Sequence, residues 1–380
     1  MFNKIKNAIS YISIITTLTI VLLILVELSC GLFFKFLPIL SGIYTHGYYP
    51  KYVDYRVESP AYTDKTHANE IYKEFFLVQE QYVPYTIWRY KELHGKHINI
   101  NEDGIRATIP NSNDKSDKKL FFFGGSTIWG TGVDDNNTIP SFVSRYLKEN
   151  NLTFDIVNYG QSGYQSTQEL IQLISELQKG KRPAVVIFYD GINDIYASAF
   201  SPGIPSYHQN FEQIKNKIEG NGIKMIYFNS NLFKMVIYIK NRFKRTTLKQ
   251  EDTEEDEKIE GAIDNYITNL QMVQKLSKEY GFKFFAFWQP VLLADKKKLT
   301  EYEKIEKSKM GKKLMRIYTK AYEGINKKHL NEIKLFNLSE IFENEKDDIY
   351  TDFAHLAEKG NSIVARKIFE DIREEIFTKK

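Results

Sequence analysis

Four short stretches carry side chains that acyl transfer needs. Phe121-Phe122-Phe123-Gly124-Gly125-Ser126-Thr127 runs three aromatics into two glycines and a serine, which reads as a buried strand ending in a tight turn with a hydroxyl at its mouth. Asp352-Phe353-Ala354-His355 spaces a carboxylate three residues before an imidazole, close enough for one turn to join them. Gly191-Ile192-Asn193-Asp194 supplies a side-chain amide, and Asn158-Tyr159-Gly160-Gln161-Ser162-Gly163-Tyr164 offers two glycines whose backbone a substrate can approach closely. Ester cleavage requires a nucleophile, a base, a group that orients the base and donors for the oxyanion. Ser126 suits the first, His355 the second and Asp352 the third. The backbone N–H of Ser126, a glycine N–H from 160–163 and the Asn193 amide suit the last.

These groups are useful only if one edge of a fold gathers them. From Lys118 onward the chain alternates strand and helix patterns. Strands are expected at Lys119–Phe123, Phe154–Asn158, Ala184–Tyr189, Phe282–Trp288 and Ile333–Asn337. Helices are expected at about Pro140–Asn150, Gln165–Gln178, Ile263–Tyr280, from the Lys-rich 296–313 stretch to about Leu330, and at Ala357–Phe377. Ala184–Tyr189 is apolar throughout, as a strand covered on both faces should be. The pattern predicts an α/β domain with a mainly parallel five-stranded sheet, and ligands of open α/β sheets bind beyond the C-terminal strand ends. All four motifs follow predicted strands.

Each motif is weak alone. In this order and spacing, over about 118–375, they resemble the SGNH, or GDSL-like, hydrolase family: Gly124-Gly125-Ser126, Gly163, Gly191-Ile192-Asn193-Asp194 and Asp352-Phe353-Ala354-His355. The resemblance implies a flavodoxin-like three-layer sandwich and a Ser126-His355-Asp352 triad. It also implies an oxyanion hole of Ser126, Gly163 and Asn193, with Gly163 a better match than Gly160. Gly125 departs from the family, which often has Asp there. Asp194 is expected to hold its loop.

The resemblance does not reach the first 117 residues or an insertion at about 200–260. Ala8–Val26 is a charge-free apolar run of 19 residues, preceded by Lys4 and Lys6, long enough to span a membrane. An uncleaved anchor over 1–40 is the reading adopted; a cleaved signal and a buried core helix are the alternatives. The flanking lysines favour a cytosolic N-terminus and an extracytoplasmic remainder, although Lys35, Lys51 and Arg56 weaken that bias. Glu27 near the membrane edge reads as an interfacial carboxylate.

Residues 41–117 read as an extension packed on the main domain at 118–380. It carries a helical hint at Asn69–Glu80, strands at Tyr85–Arg89 and Ile98–Asn101, and a turn at Asn101–Gly104. In the insertion, Phe233–Arg245 is a basic amphipathic piece, read as a solvated helix in preference to a membrane-surface one, and Glu251–Glu260 is read as a mobile acidic loop.

The 380 residues carry 52 basic and 48 acidic side chains, a balance that gives no footprint for nucleic acid. One cysteine, Cys30, excludes an intrachain disulfide. No Cys/His cluster stands at zinc spacing, so neither a metal nor a cofactor is expected, and His46, His67, His94, His97, His208 and His329 read as ordinary.

The combined expectation is a membrane-anchored serine esterase acting on an O-acyl ester, such as an acetyl group on a cell-surface or secreted polysaccharide. An O-acyltransferase with the same triad, served by a membrane acyl-donor partner, is the alternative. A non-catalytic polysaccharide-binding protein on the same fold is the third reading.

Overall fold

The computed structural model describes residues 2–41, 54–111, 116–200, 207–208, 211–218, 230–243, 251–328 and 333–377. They form two compact units, 1–51 with 210–249, and 52–209 with 250–380.

In the first unit the helix Phe2–Ser41 contains a 24-residue stretch, Ser10–Phe33, long and apolar enough to cross a membrane, and nearly all of it is exposed, Cys30 being buried. The Glu27 carboxylate accepts hydrogen bonds from Ser230 Oγ at 2.8 Å and Leu232 N at 3.0 Å. It thereby caps the helix Asn231–Phe243, whose first N–H groups lack intrahelical acceptors. Two sequence expectations change here. Glu27 has a partner, and the basic amphipathic piece docks on the apolar helix instead of standing free in solvent. Arg245 lies outside the described residues, as do 201–206, 209–210, 219–229 and 244–250 of the insertion.

The second unit is built on five parallel strands: β5 (Lys119–Gly124), β6 (Asp155–Asn158), β7 (Val185–Asp190), β8 (Lys283–Trp288) and β9 (Leu335–Asn337), in the order β6-β5-β7-β8-β9. This is the expected flavodoxin-like order. Because a strand's side chains alternate between faces, each strand feeds two cores. Phe121, Phe123, Val186, Phe188, Phe284, Ala286 and Trp288 enter one; Leu120, Phe122, Val185, Ile187, Tyr189, Phe285 and Phe287 enter the other. The first face is covered by the helices Ser166–Gln178, Glu251–Tyr280 and Gly311–Asn326, and the second by Ile139–Glu149 and Glu358–Phe377.

The acidic run Glu251–Glu260 is helical, contrary to the loop expectation. Its Glu255, Asp256 and Glu260 face Lys313, Lys320 and Lys328 of the neighbouring helix region, and Ile259 just inside it is buried. Opposite charges supplied from elsewhere in the chain remove the self-repulsion that made the segment look like a loop.

Four short strands precede the sheet: β1 (Glu80–Val83) pairs with β2 (Ile87–Tyr90), and β3 (Leu93–His94) with β4 (Asn99–Ile100), all antiparallel. Arg106 bridges Ile100 on one side and Asn158 on the other, so this segment covers the outer edge of β6. The expected helix lies at Lys65–Phe75, four residues earlier than the sequence suggested, with Asp64 as its N-cap. The expected helix end near Leu330 falls at Asn326; residues 329–332 lie outside the described set.

Candidate active site

The connection leaving β5 runs to β6 on one side and the connection leaving β7 runs to β8 on the other. The crevice beyond these strand ends is the switch point of the sheet. Ser126 opens a one-turn helix, Ser126–Trp129, immediately past β5. Gly124 permits that geometry: a Cβ there would lie 2.5 Å from Ile128 Cγ1 and 2.8 Å from the Tyr189 carbonyl. The N–H of Ser126 belongs to the first helical turn and so has no intrahelical acceptor.

The chain returns to this point through 350–356. Tyr350 and Leu356 bridge antiparallel, and Thr351 N donates to His355 O at 2.9 Å, closing a tight loop. Inside it, Asp352 Oδ1 accepts from Ala354 N and His355 N, both at 2.8 Å. Asp352 Oδ2 lies 2.7 Å from His355 Nδ1, and His355 Nε2 lies 2.8 Å from Ser126 Oγ. Ser126, His355 and Asp352 are therefore brought into one hydrogen-bonded line across more than two hundred residues. With Nδ1 donating to the carboxylate, Nε2 is free to accept the serine proton.

Burial alone would raise the pKa of Asp352, but the His355 ring, by charge and hydrogen bond, and the Arg56 guanidinium hold it well below the usual carboxylate range. Arg56 carried no motif in the sequence. It comes from the short 3-10 turn Tyr55–Glu58, is buried, and reaches Asp352 Oδ2 with Nη1 at 3.3 Å. Its other nitrogens donate to Asp54, Nε at 2.9 Å and Nη2 at 2.8 Å, and its plane lies over the Tyr72 ring at 4.8 Å.

Asn193 follows β7 in the helix Ile192–Phe200. Its Nδ2 donates to the Tyr164 carbonyl at 2.7 Å, which fixes the amide and leaves its second hydrogen for another acceptor. The two glycines after β6 do different work. Gly160 packs against the one-turn helix, where a Cβ would lie 2.4 Å from Trp129 N, and its own N–H donates to Asn158 Oδ1 at 3.0 Å. That N–H is already used. Gly163 adopts a left-handed φ of +76° in the turn before the helix Ser166–Gln178. Asp194 accepts from the hydroxyl of Ser166 at 2.6 Å and from its N–H, tying the β6 loop to the β7 loop.

Two carboxyls, Glu169 in the helix Ser166–Gln178 and Asp190 at the end of β7, are buried. Burial pushes both pKa values up; Asp190 raises that of Glu169 further, Asp194 that of Asp190, and neither Glu169 oxygen meets an N–H or O–H donor. A proton shared between them supplies the missing donor.

Gly125 explains its own departure from the family pattern. Its φ of −78° suits any residue, but a Cβ there would lie 2.3 Å from Asn193 Nδ2. The obstacle is the tip of a side chain, so Gly125→Ala is expected to fold with nearly unchanged Tm while displacing the amide. The expected loss in kcat is about 10²–10³-fold, that of one oxyanion donor, with KM little altered. A kcat within about threefold of wild type, measured on an activated acetyl ester, would show that the Asn193 amide is not in the reaction path.

A cavity of about 700 Å³ lined by Asn99, Arg106, Lys119, Phe121, Tyr159 and Lys181, among others, contains none of Ser126, Asp352 or His355.

The GDSL-like lipase/acylhydrolase family model matches residues 122–304. A search of curated proteins found no match. Among solved structures, the acetyl xylan esterase AlAXEase is 15% identical, covering 67% of this chain and 99% of its own, with a TM-score of 0.36. The psychrotrophic esterase EstA from Pseudoalteromonas sp. is 13% identical, covering 69% and 100%, at 0.37. The acetylxylan esterase Axe2 from Geobacillus stearothermophilus is 14% identical, covering 68% and 95%, at 0.35.

Proposed function

We propose, on the premise that this chain is a serine hydrolase belonging to the GDSL-like lipase/acylhydrolase family through residues 122–304, that it cleaves an O-acyl ester by way of an acyl-enzyme on Ser126. The carrying observation is the hydrogen-bonded line Ser126 Oγ, His355 Nε2 at 2.8 Å, and His355 Nδ1 to Asp352 Oδ2 at 2.7 Å. Ser126 Oγ attacks the carbonyl carbon as its proton passes to His355 Nε2. The oxyanion is received by the N–H groups of Ser126 and Gly163 and by the Asn193 amide. The intermediate collapses, His355 returns the proton to the departing alcohol, and the acyl group stays on Ser126. Water then attacks with His355 as base, releasing the acid and restoring the serine. Asp352 stays ionised and stabilises the imidazolium.

The proposed substrate class rests on a proposed location. The apolar N-terminal helix supports a membrane anchor, and Lys4 and Lys6 before it favour a cytosolic N-terminus with the catalytic unit on the other side. There an acetyl ester on a cell-surface or secreted polysaccharide is the proposed substrate, by family analogy. The test is a product balance with the full chain in detergent. Incubation with an O-acetylated polysaccharide should release free acetate, and a fluorophosphonate probe should label Ser126. Acetyl gained by an acceptor polymer with little free acetate would instead support transfer to a sugar hydroxyl. Absence of both products and of labelling would sink the catalytic reading.

A further inference from the structure

We propose that His67, Glu70 and His97 form a site for a divalent cation of the zinc type, which clasps the helix Lys65–Phe75 to the turn between β3 and β4 within the N-terminal extension. One donor atom from each of the three lies within 4.8 Å of the others. His67 and Glu70 are three apart on the helix Lys65–Phe75, so they share a face. His97 comes from the turn between β3 and β4. The His67 and His97 rings meet edge to face at 4.9 Å between centroids, and His97 Nε2 is 3.1 Å from Glu70 Oε2. Bonds of about 2.0–2.1 Å in a tetrahedron put ligand atoms about 3.4 Å apart, so this pair already has the spacing of two ligands on one ion. Two imidazoles and one carboxylate suit zinc; magnesium and calcium prefer all-oxygen sets.

The surroundings hold these groups in place. Glu74, one turn beyond Glu70 on the same helix, accepts from the backbone N–H groups of Lys96, His97 and Ile98 at 2.8, 2.8 and 2.9 Å. The carbonyl of His97 accepts from Asp135 N at 2.9 Å, and Asp134 Oδ2 lies 3.1 Å from His67 Nε2. A carboxylate behind a ligand histidine is the usual device for orienting its ring. The His97 side chain is 7% exposed and that of Glu70 44%, which leaves one side open for ion entry and for a water as fourth ligand. One group opposes the ion: Lys96 Nζ is 2.8 Å from Glu70 Oε2. Its side chain is largely exposed and can swing into solvent as the ion enters. The site shares no residue with the proposed triad, so the role is structural. By fixing His67 and His97 the ion would hold the groups that meet Asp134 and Asp135, whose loop Arg106 also binds through Asp135 Oδ1 and the carbonyls of Trp129, Gly130 and Val133.

The test is zinc titration of the EDTA-stripped full chain in detergent, read by equilibrium dialysis and by the melting temperature. Wild type should bind one zinc per chain and melt higher with it. His67→Ala and Glu70→Gln, both at partly exposed positions, should fold, lose that zinc and show no thermal gain. Asp134→Asn should bind roughly 10–100-fold more weakly. Lys96→Ala should bind at least as tightly as wild type, because a competing ammonium is gone. No stoichiometric zinc on wild type, or full zinc retained by both ligand variants, would overturn the site. Esterase activity is not part of the readout, so the outcome is independent of the assignment of Ser126.

Discussion

Alanine at His355 is expected to lower kcat for an acetyl ester by roughly 10⁴–10⁶-fold while leaving KM close to wild type. The range follows from what is lost. General acid–base assistance by a positioned side chain is worth about 10²–10⁴-fold, and removing the base of a working triad costs up to about 10⁶ because serine alone is a poor nucleophile. His355 is placed for both proton transfers, 2.8 Å from Ser126 Oγ through Nε2, with its Nδ1 held at 2.7 Å by Asp352. Its side chain is 15% exposed, so truncation opens little core and Tm should change by a few degrees at most. Asp352→Asn is expected to cost about 10⁴, since an amide at that position stabilises the wrong tautomer. A His355→Ala enzyme within about tenfold of wild type would end the triad assignment, and a dead Ser126→Ala beside it would send the search to another base.

Methionine at Arg56 is expected to destabilise the protein by about 3–5 kcal/mol and to depress kcat by roughly ten- to a hundredfold. The stability loss arises because Arg56 is the cation between two buried carboxylates, Asp54 and Asp352, and its removal leaves both without it. Burial opposes the guanidinium charge, yet Tyr72 and Asp54, followed by Asp352, hold its pKa well above the usual arginine value. The catalytic loss arises at one remove. Asp352 keeps its backbone donors but loses the group that fixes Oδ2 from the side opposite the chain, so the imidazole is held less firmly. Two readouts separate this positioning role from plain stability. The double variant Asp54→Asn/Arg56→Met should recover much of the Tm, since one uncompensated charge is gone, while kcat stays low and KM stays near wild type. Recovery of kcat together with Tm would make Arg56 a structural residue only.

Arg56 also marks where sequence reading stopped. Ser126, Asn193 and the Asp352/His355 pair each sit in a short local pattern beside a strand, and local pattern is what a sequence displays. Arg56 is 296 residues from Asp352, in a stretch with no periodicity and no motif. The proposed zinc site is illegible in the sequence for the same reason: His67 and His97 lie thirty residues apart on different elements, with no ligand spacing between them. Glu251–Glu260 failed in the opposite sense. Its like charges argued for a loop, but the lysines that neutralise them are supplied by a helix more than fifty residues away.

The continuous apolar runs alternating with helical patterns determined by themselves that a parallel sheet would form and which ends of its strands would carry polar groups. That information is local, because a strand buried on both faces must be apolar at every position. That the Gly160 N–H is already engaged, and that a side chain at 125 would meet the Asn193 amide, is visible only in the packing. A glycine N–H is free or used according to what a distant side chain offers it, as Asn158 does for Gly160, and a missing Cβ matters only where another chain segment, here Asn193, takes its space.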